Sequence, residues 1–159
     1  MKALSTDIIP EVDLRYILAN PWSISAMEWR LGDENSKESM FHYIQELLTL
    51  TEEGGYSKIW RDEKALPIAI LGCYPVAKTK YTTFLVCSDL YEEHALKISF
   101  QMRKTLKVYA QYYPGCSIGI FSSSRHPHVF TWLRFLGFQY LPNRDDGNSR
   151  YFEYRSSSN

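Results

Sequence analysis

Three hydroxyls stand where a bound ligand could be handled. Ser88, Tyr91 and Ser122 fall at or just past the ends of two apolar runs, Tyr81-Thr-Thr-Phe-Leu-Val-Cys-Ser88 and Cys116-Ser-Ile-Gly-Ile-Phe121, that read as strands. A hydroxyl there can bond a ligand, but it serves ordinary turn chemistry equally well. Between the runs, Asp89 to Lys97 leads into a long helix, whose free amides and dipole form an anion site. Cys73, Cys87 and Cys116 each lie inside an apolar run with no Cys-x-x-Cys spacing. They read as buried free thiols in a reducing cytoplasm. Cys87 is at a strand end and could act as a nucleophile, yet no base adjoins it in sequence. His126-Pro-His128 offers too few ligands for zinc, with no Cys or carboxylate partner at matching spacing. It reads as a helix cap plus a surface histidine, so no metal is expected. No Glu or Asp stands out by spacing as a general base, and no nucleophile elbow is present.

The elements that must position these groups follow from periodicity. Glu11 to Leu18 can form a short helix after Pro10, and Ile24 to Leu31 a second, with Ile24, Met27 and Leu31 on one face. Trp22 and Trp29 belong either to the core or to a pocket wall. A third helix is capped by Asn35, with Glu38 reaching back, and turns Met40, Ile44, Leu47 and Thr51 to one side until Gly54-Gly55 stops it. Tyr56 to Arg61 alternates as a strand, Leu66 to Tyr74 is a buried strand, and Tyr81 to Ser88 completes an antiparallel meander. After a polar turn (Asp89 to Glu93), the long helix runs from about Ala95 to Tyr113 with Ala95, Ser99, Met102, Leu106, Tyr109 and Tyr113 as its apolar stripe. The strand at Cys116, a helix from Pro127 to Leu136 closed by Gly137-Phe138, and a hairpin (Phe138 to Leu141, Arg150 to Arg155) finish the fold. The expected class is α/β (α+β): a mixed central sheet in which the meander feeds a βαβα unit and a closing hairpin. One domain is expected over residues 1–155, with a frayed Ser-rich tail at 156–159.

Composition bounds the partners. Lys plus Arg and Asp plus Glu both number 18, so the balanced charge argues against non-specific nucleic-acid binding. It also leaves association with a protein partner, or with a second copy as a homodimer, unopposed by self-repulsion. Aromatics reach 15% with 12 Tyr, which suits a sticky surface as well as a rich core. No apolar run approaches a membrane span, and the first residues lack a secretory apolar core, so a cytoplasmic protein is expected.

The order of elements from Ser36 to Arg155 resembles the GCN5-related N-acetyltransferase (GNAT) superfamily. The most specific match is His126-Pro-His-Val-Phe-Thr-Trp-Leu-Arg-Phe-Leu-Gly-Phe138, which looks like that family's penultimate helix with its closing Gly-Phe. The run from Leu66-Pro-Ile-Ala-Ile-Leu-Gly72 through Cys116–Phe121 is also similar to small GNAT-like proteins of T7-like tailed phages, labelled acetyltransferases or morphogenesis proteins. The resemblance implies that the strand Tyr81–Ser88 splays from Cys116–Phe121. The pantetheine arm of acetyl-CoA then pairs with the free strand edge at Val86 and Ser88, and the pyrophosphate rests on amides around His94 and Ala95. The acceptor would be a small amine or a protein amine.

Two departures qualify what the resemblance implies. The family places Arg or Gln, two residues, Gly, one residue, then Gly or Ala at the pyrophosphate; here the stretch is Asp89-Leu-Tyr-Glu-Glu-His-Ala-Leu-Lys97, without glycine. Asp89, Glu92 and Glu93 would repel the phosphates, although carboxylates also favour any helix start. The general-acid Tyr four residues before the closing Gly is replaced by Leu133. Two functions therefore stand side by side: an acyl-CoA-dependent N-acyltransferase with a degenerate pyrophosphate loop, and an inactive GNAT-fold phage protein that binds a virion or host protein.

Overall fold

The computed structural model describes residues 6–155; the expected tail at 156–159 and the first five residues lie outside the described residues. Three helices come first: α1 (Glu11–Ala19), α2 (Ser23–Glu28) and α3 (Glu34–Thr51). The meander follows as β1 (Tyr56–Arg61), β2 (Pro67–Ala77) and β3 (Lys80–Cys87). Then come α4 (Tyr91–Ala110), β4 (Ser117–Ser122), α5 (Pro127–Leu136), β5 (Phe138–Tyr140), a 3-10 turn (Pro142–Arg144) and β6 (Arg150–Tyr154). The six strands form one sheet in the order β1-β2-β3-β4-β6-β5. Among the described strands only the neighbours β3 and β4 are paired parallel, because the helix α4 carries the chain from one to the other. The expected α/β layout, with meander, βαβα unit and closing hairpin, is present.

Strand alternation sorts the side chains into two cores. Ile70, Phe84 and Val86 face α1 and α3 and meet Leu14, Ile17, Phe41 and Ile44. Leu71, Cys73, Leu85 and Cys87 face the other way, onto Ile98, Met102 and Leu106 of α4 and Val129, Leu133 and Leu136 of α5. Each such aliphatic side chain contributes about 1.5–3 kcal/mol when fully buried. At the end of α5, Gly137 takes φ 113°, a left-handed turn in which its N–H reaches back to the carbonyls of Arg134 and Leu133. The His126 ring accepts from the His128 N–H at the other end, at 3.1 Å.

Several boundaries differ from expectation. Asp33, not Asn35, caps α3, accepting from Ser36 N–H at 2.8 Å. The helix α2 stops at Glu28, before the expected Leu31, and Arg30 turns with φ 55°. The largest change is at α4. Its helix begins at Tyr91, so Glu92 and Glu93 lie in its first turn rather than in a preceding loop. Ser88 brings this about: its hydroxyl oxygen accepts from Leu90 N–H and its carbonyl from Tyr91 N–H, so the strand turns straight into the helix. Cys73 and Cys87 are buried free thiols, while Cys116 is only half-buried, at the entrance to β4.

Candidate functional site

The strands β3 and β4 are paired only from Lys80↔Ser117 to Thr83↔Ile120. Beyond that point β3 runs on to Cys87 and β4 to Ser122 without bonding each other. The result is a fork, and every candidate residue lies on or beside it. A cleft of about 310 Å³ passes through it, walled by Trp29 and Tyr43 on one side and by Val129, Trp132 and Leu133 on the other.

The β3 edge that faces the fork is already bonded to the chain's own residues. Leu85 O accepts from the Trp29 indole N–H at 2.9 Å. Cys87 O accepts from Trp22 N–H at 3.0 Å, and Cys87 N–H donates to Ser25 Oγ at 3.0 Å. Pro21 and Ser88 form an antiparallel bridge, and Asp89 N–H donates to Asn20 O at 2.8 Å. Residues 20–29 thus lie along the strand like a short added element. Alternation puts Leu85 and Cys87 on this edge, while Ser88 N–H points the other way, to Ile68 O at 2.8 Å. With Leu90 and Tyr91 bonded to Ser88, the amides from Cys87 to Tyr91 all have partners inside the protein.

Aromatic rings fill the mouth of the fork beside α4. Trp22 lies 4.6 Å from Tyr91 and 5.5 Å from Trp132, centroid to centroid, and Tyr91 lies 5.7 Å from Trp132. Trp22 is 5% exposed and Tyr91 1%. The Tyr91 hydroxyl is bonded to Ser99 Oγ, and burial pushes its pKa up to about 12, so it stays protonated at neutral pH. Val86 packs its side chain into the α3-side core. Ser88 is fully buried and donates to Pro67 O at 2.8 Å. His94 and Ala95 are half-buried in the first turns of α4, and Ala95 packs onto the core.

Ser122 sits on the other arm of the fork with a partner that the sequence did not single out. Its hydroxyl donates to Glu28 Oε1, while Ser123 gives Glu28 Oε2 both its N–H (2.7 Å) and its hydroxyl (2.9 Å). Glu28, Ser122 and Ser123 all line the cleft. The structure therefore brings Ser122 together with a carboxylate, and gathers Ser88, Tyr91 and Ala95 at the opposite arm. A signal for Glu28 existed. It stands four residues after buried Ile24, on the inward face of a short helix where a carboxylate needs donors, and a run of serines follows β4.

Burial pushes the Cys73 thiol up to about 12 and raises Cys87 as well, so neither is a thiolate nucleophile near neutrality. Both thiols stay protonated in the fold while the unfolded chain titrates near 9. Their stabilising effect is intact below pH 9 and is lost as pH climbs through the folded values. At pH 10 each thiol should remove about 1.4 kcal/mol. Melts under reducing conditions are expected to fall by roughly 5–10 °C between pH 7.5 and pH 10; equal midpoints would mean that the thiols are reached by solvent.

Among the described residues no group of three His, Cys, Asp or Glu is placed to hold a metal ion, and no helix is long and apolar enough to cross a membrane. No family model and no curated protein matches the sequence. Solved structures do match, over most of the chain. A GNAT-family acetyltransferase from Staphylococcus aureus Mu50 superposes with TM-score 0.65 at 10% identity, covering 91% of this chain and 91% of that one. A phosphinothricin acetyltransferase from Sinorhizobium meliloti, solved with acetyl-CoA, gives 0.64 at 14% identity, with 94% and 88% covered. The PaiA N-acetyltransferase of Thermoplasma acidophilum, solved with coenzyme A, gives 0.59 at 11%, with 92% and 95% covered. The likeness is one of fold: a six-stranded mixed sheet with five α-helices among the described residues, as in GNAT acetyltransferases.

Proposed function

We propose that this chain is a binding protein on the GNAT fold, with the acyl-CoA fork filled by its own residues, and that it works through a protein partner rather than by acyl transfer. The observation that carries the reading is the β3 edge. Leu85 O, Cys87 N–H and Cys87 O, on the edge that would meet a pantetheine arm, are bonded to Trp29, Ser25 and Trp22. The mouth where a diphosphate would rest holds the Trp22, Tyr91 and Trp132 rings. Seating acetyl-CoA there means breaking those bonds, at about 1 kcal/mol each, and withdrawing a buried tryptophan. A total of roughly 5 kcal/mol lowers affinity by a factor of several thousand. The position of the family's general acid is Leu133, which is buried and has no proton to give. The partner class is a virion or host protein, as the resemblance to phage proteins implies. The outer face of α4 suits contact with it, since Leu96 is 75% and Phe100 52% exposed.

One observation favours the acyltransferase instead: the fork is open behind its mouth, and Glu28 lines it. A carboxylate there could take a proton from an acceptor amine, small or on a protein. In that reading the bonds of Trp22, Ser25 and Trp29 to β3 open while Glu28 keeps its Ser122 and Ser123 donors, and Val86, Ser88, His94 and Ala95 come to lie against acetyl-CoA. The readings separate in one titration. Trp29 and Trp132 line the cleft, so acetyl-CoA entering the fork must alter tryptophan emission. The expected result is unchanged emission up to millimolar acetyl-CoA and no thiol release with amine acceptors. A saturable change in emission, or thiol release, overturns the binding-protein reading.

A further inference from the structure

The geometry points to a second site, sharing no lining residue with the fork, that takes a nucleoside polyphosphate. It is a groove of about 580 Å³ between α4, the last turns of α5 and the edge strand β5. That volume is in the range of small-ligand pockets and too compact for a folded partner. Arg103, Lys107, Arg134 and Arg155 converge on it, and no Asp or Glu is among its described lining residues. In a chain whose charges balance, four cations around one groove make a local positive field.

Two of the four cations have no carboxylate partner among the described residues. Lys107 and Arg134 have no ion pair among the described residues. Arg103 lies 5.0 Å from the centre of the Phe135 ring. Arg155 is anchored by Glu153, whose other oxygen holds Arg144 at 2.8 Å. A helix dipole accounts for Lys107 and Arg134 singly, since each is in the last turn of its helix. It does not account for their meeting Arg103 and Arg155 over one concavity. The apolar part of the wall is mostly aromatic, with Phe130, Phe135, Phe138, Tyr140 and Tyr154 beside Leu136. Flat rings beside guanidinium groups suit a base, and the clustered cations suit phosphates. An acidic peptide would use the charges and leave the rings idle.

The test is calorimetry of the whole chain with ATP, adenosine and inorganic tripolyphosphate at two salt concentrations. ATP is expected to bind more tightly than tripolyphosphate, adenosine weakest, and raising salt from 50 to 200 mM should weaken ATP binding about tenfold or more. Lys107→Gln with Arg134→Gln, both on exposed helix surface, should lower ATP affinity at least tenfold with the melting midpoint falling by no more than a few degrees. Absence of ATP heat overturns the site, as does equal binding by the double variant, or binding of polyglutamate in place of ATP. No tryptophan lines the groove, so nucleotide bound there leaves the emission signal of the fork unaltered, and the two readings fail separately.

Discussion

Trp22→Ala is expected to lower the unfolding free energy by about 3–5 kcal/mol and, in the same protein, to make tryptophan emission respond to acetyl-CoA. The first effect follows from burial. The Trp22 ring touches Tyr91 and Trp132 and is almost wholly withdrawn from water, so alanine leaves a large cavity among side chains fixed by the sheet. A fall in the melting midpoint of roughly 6–20 °C would accompany it in a chain of this size. The second effect follows from position, because the lost ring is one of the three that fill the mouth and the one carried by the segment laid along β3. Trp22→Phe keeps a ring there and should retain most of the stability while staying silent to acetyl-CoA. Urea unfolding measures the first effect and fluorescence titration the second. A Trp22→Ala protein as stable as the parent would show that the ring is not a structural plug. A destabilised one that still ignores acetyl-CoA would place the block in the hydrogen bonds of residues 20–29 along β3.

Gly55→Ala should be as damaging, by about 3 kcal/mol or more, for a different reason. A Cβ built on Gly55 would lie 1.9 Å from Cys73 O and 2.9 Å from its carbonyl carbon. Both are backbone atoms of β2, an internal strand of the sheet, which cannot step aside without breaking the pair Tyr56↔Cys73. The α3–β1 junction must move instead, and with it the packing of α3 on the sheet. Gly32→Ala is the matched control: nothing stands within 4 Å of its Cβ, so a change within about 0.5 kcal/mol is expected. Denaturant midpoints compare the two directly. Equal behaviour of the two variants would show that the junction gives way freely.

Helix α5 was legible to its ends because every determinant is local: Pro127 in the first turn, the His126 cap, and Gly137 in a left-handed turn before Phe138. Alternation exposed β1, and the apolar runs exposed β2, β3 and β4. The start of α4 was not legible, because Ser88 builds a hydrogen-bonded turn that only exists once β2 presents Pro67 O to its hydroxyl. Glu28 was missed for a related reason. Its donors, Ser122 and Ser123, lie nearly a hundred residues away in the chain, and no spacing rule connects them.

Thus the order of elements, the apolar faces of α3, α4 and α5 and the fold class were written into the sequence, since periodicity and end signals act over a few residues. The tertiary structure alone decided what occupies the fork. Strand splay is a matter of which backbone groups lack partners. Trp22, Ser25 and Trp29 become those partners only when residues 20–29 are laid against β3. The same holds for the basic groove, where residues from two helices and from the end of the last strand meet only after the sheet has brought α4, α5 and β5 together.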